Sequence, residues 1–147
     1  MGVGMAMSAL LASCADDESF STSRGDVLSF SVDTLKMDTT FSNVPTPTRS
    51  FWVYNRTGKG LRCQSVRLEN GNQKGYRVNV DGSYLGSEAG FQTLNVEIRK
   101  GDSIRVFVEL TSAMQNSEEP QLVSDNLVFA LESGVEQKVN LRAFSWD

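Results

Sequence analysis

The sequence contains no histidine in its 147 residues. Because histidine is the commonest general base and the commonest metal ligand, its absence disfavours many kinds of catalytic and metal site. Carboxylate pairs remain, such as Glu118 and Glu119, but spacing along the chain does not by itself form a catalytic cleft. The sequence also lacks the D-x-D-x-D-G pattern of a calcium loop. We therefore expect a protein that is not an enzyme and that binds no cofactor and no metal.

Two other features that would indicate particular partners are missing. The 14 Lys and Arg residues are scattered and are outnumbered by 18 Asp and Glu, so no basic cluster offers contacts to a nucleic acid. No apolar run approaches the roughly 20 residues that a helix needs to span a bilayer. With 39% apolar and 22% charged residues, the composition is that of one ordinary globular domain.

Residues 1–13 carry no charge and are mostly apolar, as in the hydrophobic part of a signal peptide. Their last residues, Leu11, Ala12 and Ser13, together with Cys14, resemble the lipobox of bacterial lipoproteins, in which the cysteine is acylated. The basic residues that usually begin such a signal are absent here. We predict a signal peptide over 1–13 and lipidation at Cys14. The alternative is a buried N-terminal helix or strand that ends in an ordinary cysteine.

The segment after Cys14 is acidic and poor in apolar residues, with Asp16, Asp17 and Glu18 in succession. Such a composition favours a solvated tether over a continuation of a buried element. A cysteine followed closely by acidic residues also resembles the signal that sends lipoproteins of Bacteroidetes to the outer face of the outer membrane. We predict an acidic tether over 14–26.

From residue 27 onward, short segments of alternating apolar and polar residues are separated by turn residues. Alternation with a period of two places one face of each strand in a core and the other in water. The apolar sets predicted to face inward are Leu28, Phe30 and Val32; Tyr76, Val78 and Val80; Leu94, Val96 and Ile98; Ile104, Val106, Val108 and Leu110; Leu127, Phe129 and Leu131; Val139, Leu141 and Ala143. The pattern predicts an all-β, antiparallel sandwich of about seven or eight strands over 27–147.

Two segments depart from simple alternation. Between Cys63 and Val66 the alternation changes phase, which a β-bulge near Gln64 or Ser65 would explain. Cys63 itself, with no histidine to activate it, is predicted to be a small buried hydrophobe.

The other departure is residues 51–54, Phe-Trp-Val-Tyr, which are apolar on both faces of a strand. Trp52 and Tyr54 share one of these faces, and planar side chains on an exposed sheet can stack on sugar rings. Trp52 and Tyr54 are therefore candidate glycan contacts. The alternative is that both pack against a loop or a neighbouring domain, because immunoglobulin-like sandwiches often bury a tryptophan.

Several segments of the body resemble, in the same order, segments of surface lipoproteins of Bacteroidetes. They are residues 28–35 with 38–41, 49–55, 77–82, 100–109, and 137–143 with Trp146. In that family the segment is an N-terminal immunoglobulin-like module, similar to ASPM–SPD-2–Hydin domains, and it often precedes a right-handed parallel β-helix. The resemblance implies an immunoglobulin-like fold and a spacer or interaction role, with no catalytic residues to carry over.

Together these observations predict a lipid-anchored protein of the outer membrane, exposed at the cell surface. Its predicted role is that of a structural, spacer or protein-interaction module, and the alternative is a glycan-binding or adhesin-like surface lipoprotein. The expected partners are the membrane, through the lipid anchor, and either a C-terminal β-helix domain or an envelope protein. In the glycan-binding alternative, a polysaccharide is a further partner.

Overall fold

The computed structural model describes residues 19–71 and 73–147. These residues form eleven β-strands and one short 3₁₀ turn, Ser87–Ala89, and no α-helix occurs among them. The strands are β1 (Ser29–Phe30), β2 (Thr34–Lys36), β3 (Thr40–Phe41), β4 (Arg49–Tyr54), β5 (Leu61–Leu68), β6 (Tyr76–Val80), β7 (Ser83–Tyr84), β8 (Gln92–Ile98), β9 (Ser103–Leu110), β10 (Gln121–Leu131) and β11 (Glu136–Trp146).

The strands form two sheets that pack face to face around one core. Sheet one has the order β1-β4-β9-β6-β7, and sheet two has the order β2-β11-β10-β5-β8 with β3 also paired to β11. The predicted all-β immunoglobulin-like β-sandwich is therefore confirmed. Two details differ: β2 and β3 run parallel to β11, so sheet two is mixed, and the described residues form eleven strands instead of seven or eight.

The extra strands arise mostly because the N-terminal part of the sandwich crosses from one sheet to the other. Ser29 and Phe30 pair with β4 in sheet one, whereas β2 and β3 pair with successive parts of β11 in sheet two. The predicted strand around Leu28, Phe30 and Val32 corresponds to β1, and β2 and β3 are two short strands that were not predicted. A further short strand, β7, follows a tight turn after β6 and pairs with it.

The core consists of the inward faces of both sheets, as alternation predicts. The inward sets of β6, β9 and β11 and of the second half of β10 are all buried, and Phe30 packs its ring 5.0 Å from that of Phe129. Leu94 is the exception, because 57% of its surface is exposed. Its neighbour Asn95 has a φ of 55°, so the backbone of the edge strand β8 turns over there and Leu94 lies on the outer face.

The phase change in β5 is a bulge, as predicted. Ser65 pairs with Ala130 of β10, but the next pair is Cys63 with Leu131, so Gln64 is left without a partner in that ladder. The extra residue lets Cys63 and Val66 both face the core.

The described part of the predicted tether, residues 19–26, packs against the sandwich. The amide of Gly60 donates to the carbonyl of Ser19 at 2.8 Å, and the amide of Ser21 donates back to Gly60 at 2.9 Å. The ring of Phe20 lies so close that a Cβ on Gly60 would come within 2.8 Å of it, and the Arg62 guanidinium lies 4.3 Å from the ring centre. Contacts between this segment and the sandwich are therefore present from Ser19 onward.

One carboxylate, that of Asp125, points into the core from β10. The residue is 1% exposed, and its Oδ1 accepts hydrogen bonds from the amides of Asn70 and Asn126 and from the Asn70 side chain. No residue that the structure describes donates to its Oδ2. Burial outweighs these hydrogen bonds and raises the pKa of Asp125 above the usual value for an aspartate.

We expect Asp125→Asn to change how stability depends on pH. Because the pKa of Asp125 is raised in the folded state, its contribution is most favourable when it is protonated and is lost as pH rises through that pKa. The stability of Asp125→Asn relative to wild type should therefore increase between about pH 4 and pH 7 in urea unfolding. Asp81→Asn, which removes a charge from an exposed turn, is the control. A constant difference across this pH range would contradict the raised pKa.

Candidate functional site

The two cysteines differ in what the structure says of them. Cys14, the predicted lipidation site, lies outside the described residues. Cys63 is buried in the core, and burial raises the pKa of its thiol to about 12. Because the thiolate is the reactive form, Cys63 has little reactivity at neutral pH. The prediction that Cys63 is a small buried hydrophobe is confirmed.

Trp52 and Tyr54 lie on the outward face of sheet one, because Phe51 and Val53 of the same strand face the core. The Trp52 side chain is 39% exposed, and the Arg105 guanidinium of the neighbouring strand lies 5.1 Å from the centre of its ring. Strand β4 thus exposes an aromatic face. Arg56 lies in a similar way 4.7 Å from the centre of the Tyr54 ring. A role of the two rings as glycan contacts stays a prediction.

The aromatic face extends to two residues that were not predicted to belong to a site. Phe107 occupies an outward position of β9, and the Arg105 guanidinium lies 5.1 Å from the centre of its ring as well. Tyr84 of β7 is 64% exposed. The sequence does contain a signal for Phe107, because its ring stands at an outward position between the inward residues Val106 and Val108. The position of Tyr84 depends on the pairing of β7, which the sequence pattern does not reveal.

A concavity of about 430 Å³ lies on this face, and we call it the sheet-one concavity. Its lining residues are Thr48, Arg77, Asn79, Gly82, Tyr84, Phe107 and Glu109. They come together because the register places Asn79 between Phe107 and Tyr84, and places Arg77 opposite Glu109. Its volume falls in the range of small-molecule sites, roughly 300 to 1,000 Å³.

A second surface, which we call the end patch, lies on the outer face of sheet two. It consists of Phe41, Leu122, Phe144 and Trp146, which are between 41% and 59% exposed. The register makes them neighbours, because Leu122 pairs with Phe144, and Phe41 pairs with Trp146. Contiguous exposed apolar residues of this kind mark interaction surfaces in soluble domains.

Two other kinds of site are absent from the described residues. Within 19–71 and 73–147, no group of three or more Cys, Asp or Glu side chains could hold a metal ion. In that same part of the chain, no helix is long and apolar enough to cross a membrane. The expectations of no metal, no cofactor and no catalysis stay predictions.

Comparison with known proteins bears on the fold. No family model matches the sequence, and no curated protein does. The fold is similar to that of a protein of unknown function from Porphyromonas gingivalis, with a TM-score of 0.54, 13% identity, and coverage of 80% of this chain and 46% of that one. It is also similar to the N-terminal domain of PorA, with a TM-score of 0.50, 12% identity, and coverage of 81% and 97%.

A third similarity is to the ASH or PapD-like domain 7 of human CEP192, at a TM-score of 0.46, 7% identity, and coverage of 83% and 85%. At such identities the first two similarities indicate a shared fold and nothing about activity. The chain spans less than half of the Porphyromonas protein. The fold and its two surfaces define a small immunoglobulin-like β-sandwich domain.

We expect Arg105→Ala to expose the indole of Trp52. The sequence has two tryptophans, so a Trp146→Phe background leaves Trp52 as the only one. In that background Arg105→Ala should increase acrylamide quenching of the fluorescence, because the guanidinium no longer covers the ring. Loss of the cation–π contact should cost about 0.5 to 1 kcal/mol of unfolding free energy. Arg77→Ala, on the same face, is the control, and equal quenching in both variants would contradict the contact.

Proposed function

We propose that this protein is a lipid-anchored module of the cell envelope that acts as a spacer or a protein-interaction domain. The observation that carries this proposal is the separation of its two ends. The N-terminal segment meets the sandwich at Gly60 and Arg62, whereas the end patch lies at the far end of β11.

The length of β11 sets this separation. The side chain of Glu132, in the connection before β11, accepts a hydrogen bond from Arg62 at 3.0 Å, so this end of the sheet is also the one that Phe20 contacts. From Glu136 to Trp146 the strand has 11 residues, which span about 33 Å at the usual rise per residue. A protein anchored ahead of residue 19 would hold the end patch away from the membrane.

The end patch is the surface that would meet a partner in this role. Its four side chains are apolar and three are aromatic, a composition enriched at the centres of protein interfaces. The partner in this proposal is an envelope protein or a C-terminal β-helix domain. Anchoring would be through Cys14 in the outer membrane, with the domain on the cell surface, and two or three acyl chains would bind it firmly.

A glycan-binding or adhesin-like surface lipoprotein is the second candidate function. It is favoured by the outward aromatic face of sheet one, on which Trp52, Phe107 and Tyr84 are exposed. In this alternative the partner is a polysaccharide, and Trp52 with Tyr54 provides the contacts that the sequence suggested. It is compatible with the spacer role, because this face and the end patch belong to different sheets.

Lipidation is tested by metabolic labelling of the full chain with palmitate in a bacterial host. We expect label in the wild-type protein and none in Cys14→Ser. Cys63→Ala is the matched control and should keep its label, because the buried thiol of Cys63 is not accessible for acylation. Label that survives Cys14→Ser would contradict the anchor.

The interaction role is tested by placing a photo-crosslinking amino acid at Phe144 of the full chain in cells. We expect a discrete crosslinked product with an envelope protein from this position, because Phe144 lies within the end patch. The same substitution at Leu94, which is apolar and exposed on the opposite edge of sheet two, is the control. Identical products from both positions, or none from Phe144, would count against a specific partner there.

A further inference from the structure

We propose that the sheet-one concavity, between β6, β7 and β9, is the binding site for a neutral saccharide. This inference rests on the second candidate function and gives it a location different from Trp52 and Tyr54. It follows from the shape of the concavity, from its unpaired polar groups and from the rigidity of its wall.

Tyr84 is the aromatic residue of the concavity that offers free ring surface, unlike Trp52 and Tyr54 of β4. Tyr84 is 64% exposed and no cation lies over its ring among the described residues. Phe107 lies one strand further along the sheet, because Asn79 pairs with both residues in the register, and the Arg105 guanidinium lies 5.1 Å from the centre of its ring. The C–H face of a pyranose ring packs against such rings by dispersion, and this contact is tolerant of which sugar supplies it.

The polar residues of the concavity are free to bind hydroxyl groups. Arg77 and Glu109 occupy directly opposite positions of β6 and β9. Among the described residues, however, neither side chain takes part in an ion pair or a side-chain hydrogen bond. A guanidinium that donates and a carboxylate that accepts, placed side by side, suit neighbouring hydroxyls of a sugar, each of which both donates and accepts.

The charges of the lining favour a neutral ligand. The lining contains one cationic residue, Arg77, and one anionic residue, Glu109, so a phosphate or a uronate attracted by Arg77 would be repelled by Glu109. Among the described lining residues Glu109 is the only carboxylate, whereas hydrolysis of a glycosidic bond usually needs two that face each other. The site is therefore suited to binding and not to cleavage.

The wall that carries Tyr84 is held in place by a tight turn. Asp81 and Gly82 both have positive φ, 49° and 93°, as in the two-residue turn that joins twisted antiparallel strands. The amide of Gly82 donates to the Asn79 side chain at 2.8 Å. Leu85, the residue after Tyr84, is buried, and its amide donates to the carbonyl of Val78 at 3.0 Å. The backbone is thus held by hydrogen bonds before and after Tyr84. This lowers the loss of conformational entropy that ligand binding must offset.

The test is affinity electrophoresis of the full chain in native gels that contain xylan, laminarin, mannan or galactan. Polygalacturonate serves as an anionic polysaccharide, and gelatin serves as a polypeptide. We expect at least one neutral polysaccharide to retard the wild-type protein. Tyr84→Ala and Glu109→Gln should weaken binding about tenfold, and Tyr84→Phe should keep most of it because the ring remains.

Leu94→Ala is the control and should leave the retardation unchanged. Trp52→Ala tests the competing location on β4, and binding in the concavity predicts that this variant is retarded like the wild type. Glu109→Gln has the same shape as the wild-type residue, so it tests the site even where thermal unfolding shows that Tyr84→Ala is destabilised. Retardation that is lost in Trp52→Ala and kept in Tyr84→Ala and Glu109→Gln would overturn the location while keeping the second candidate function. Retardation only by polygalacturonate or gelatin would overturn the ligand class, and no retardation in any gel would overturn both proposals.

Discussion

The antiparallel ladder between β10 and β11 is the constraint on which most of this molecule depends. It holds ten residue pairs in continuous register, from Gln121 opposite Ser145 to Ala130 opposite Glu136. A slip of one residue would turn every side chain of one strand to the other face, so this register fixes which residues reach the core. The same ladder carries β5 on one side and β2 and β3 on the other, and the whole of sheet two is therefore aligned to it. Its length also determines how far apart the two ends of the domain lie.

The alternation of apolar and polar residues predicted most of the core, because a strand that buries one face needs apolar residues at every second position. It was wrong for Leu94, where the positive φ of Asn95 on an edge strand changes the side that the residue faces. It also does not account for Val128, which has an outward position but is fully buried. Its partners in the register are Arg67 and Lys138, and long stems of such residues cover apolar surface while their charged ends pair with Glu136 and Glu69. Neither effect is visible in a single strand, because each depends on neighbours that only the register supplies.

The candidate sites were also predictable only as far as they lie within a single strand. That Trp52 and Tyr54 share a strand face could be predicted, since both lie within one strand and the period is two. That Arg105 would cover one ring face of Trp52 could not, because it requires the pairing of β4 with β9. The sheet-one concavity combines β6, β7 and β9 with a residue before β4, and the end patch combines β3, β10 and β11. Sites built from several strands follow from topology, and topology was the part of the fold that the sequence pattern left open.

The positions of the two surfaces determine whether the proposed roles can coexist. A partner on the end patch would cover Phe144 and Trp146 at one end of sheet two, whereas the concavity opens on the outer face of sheet one. Between them lies a close-packed core, which resists deformation, so occupation of one surface need not alter the other. The N-terminal contacts at Gly60 occupy the end of sheet two opposite the end patch. A domain held at one end and engaged at the other would leave the face that carries Tyr84 and Phe107 open to solvent, which is the arrangement that binding of an extended polymer requires.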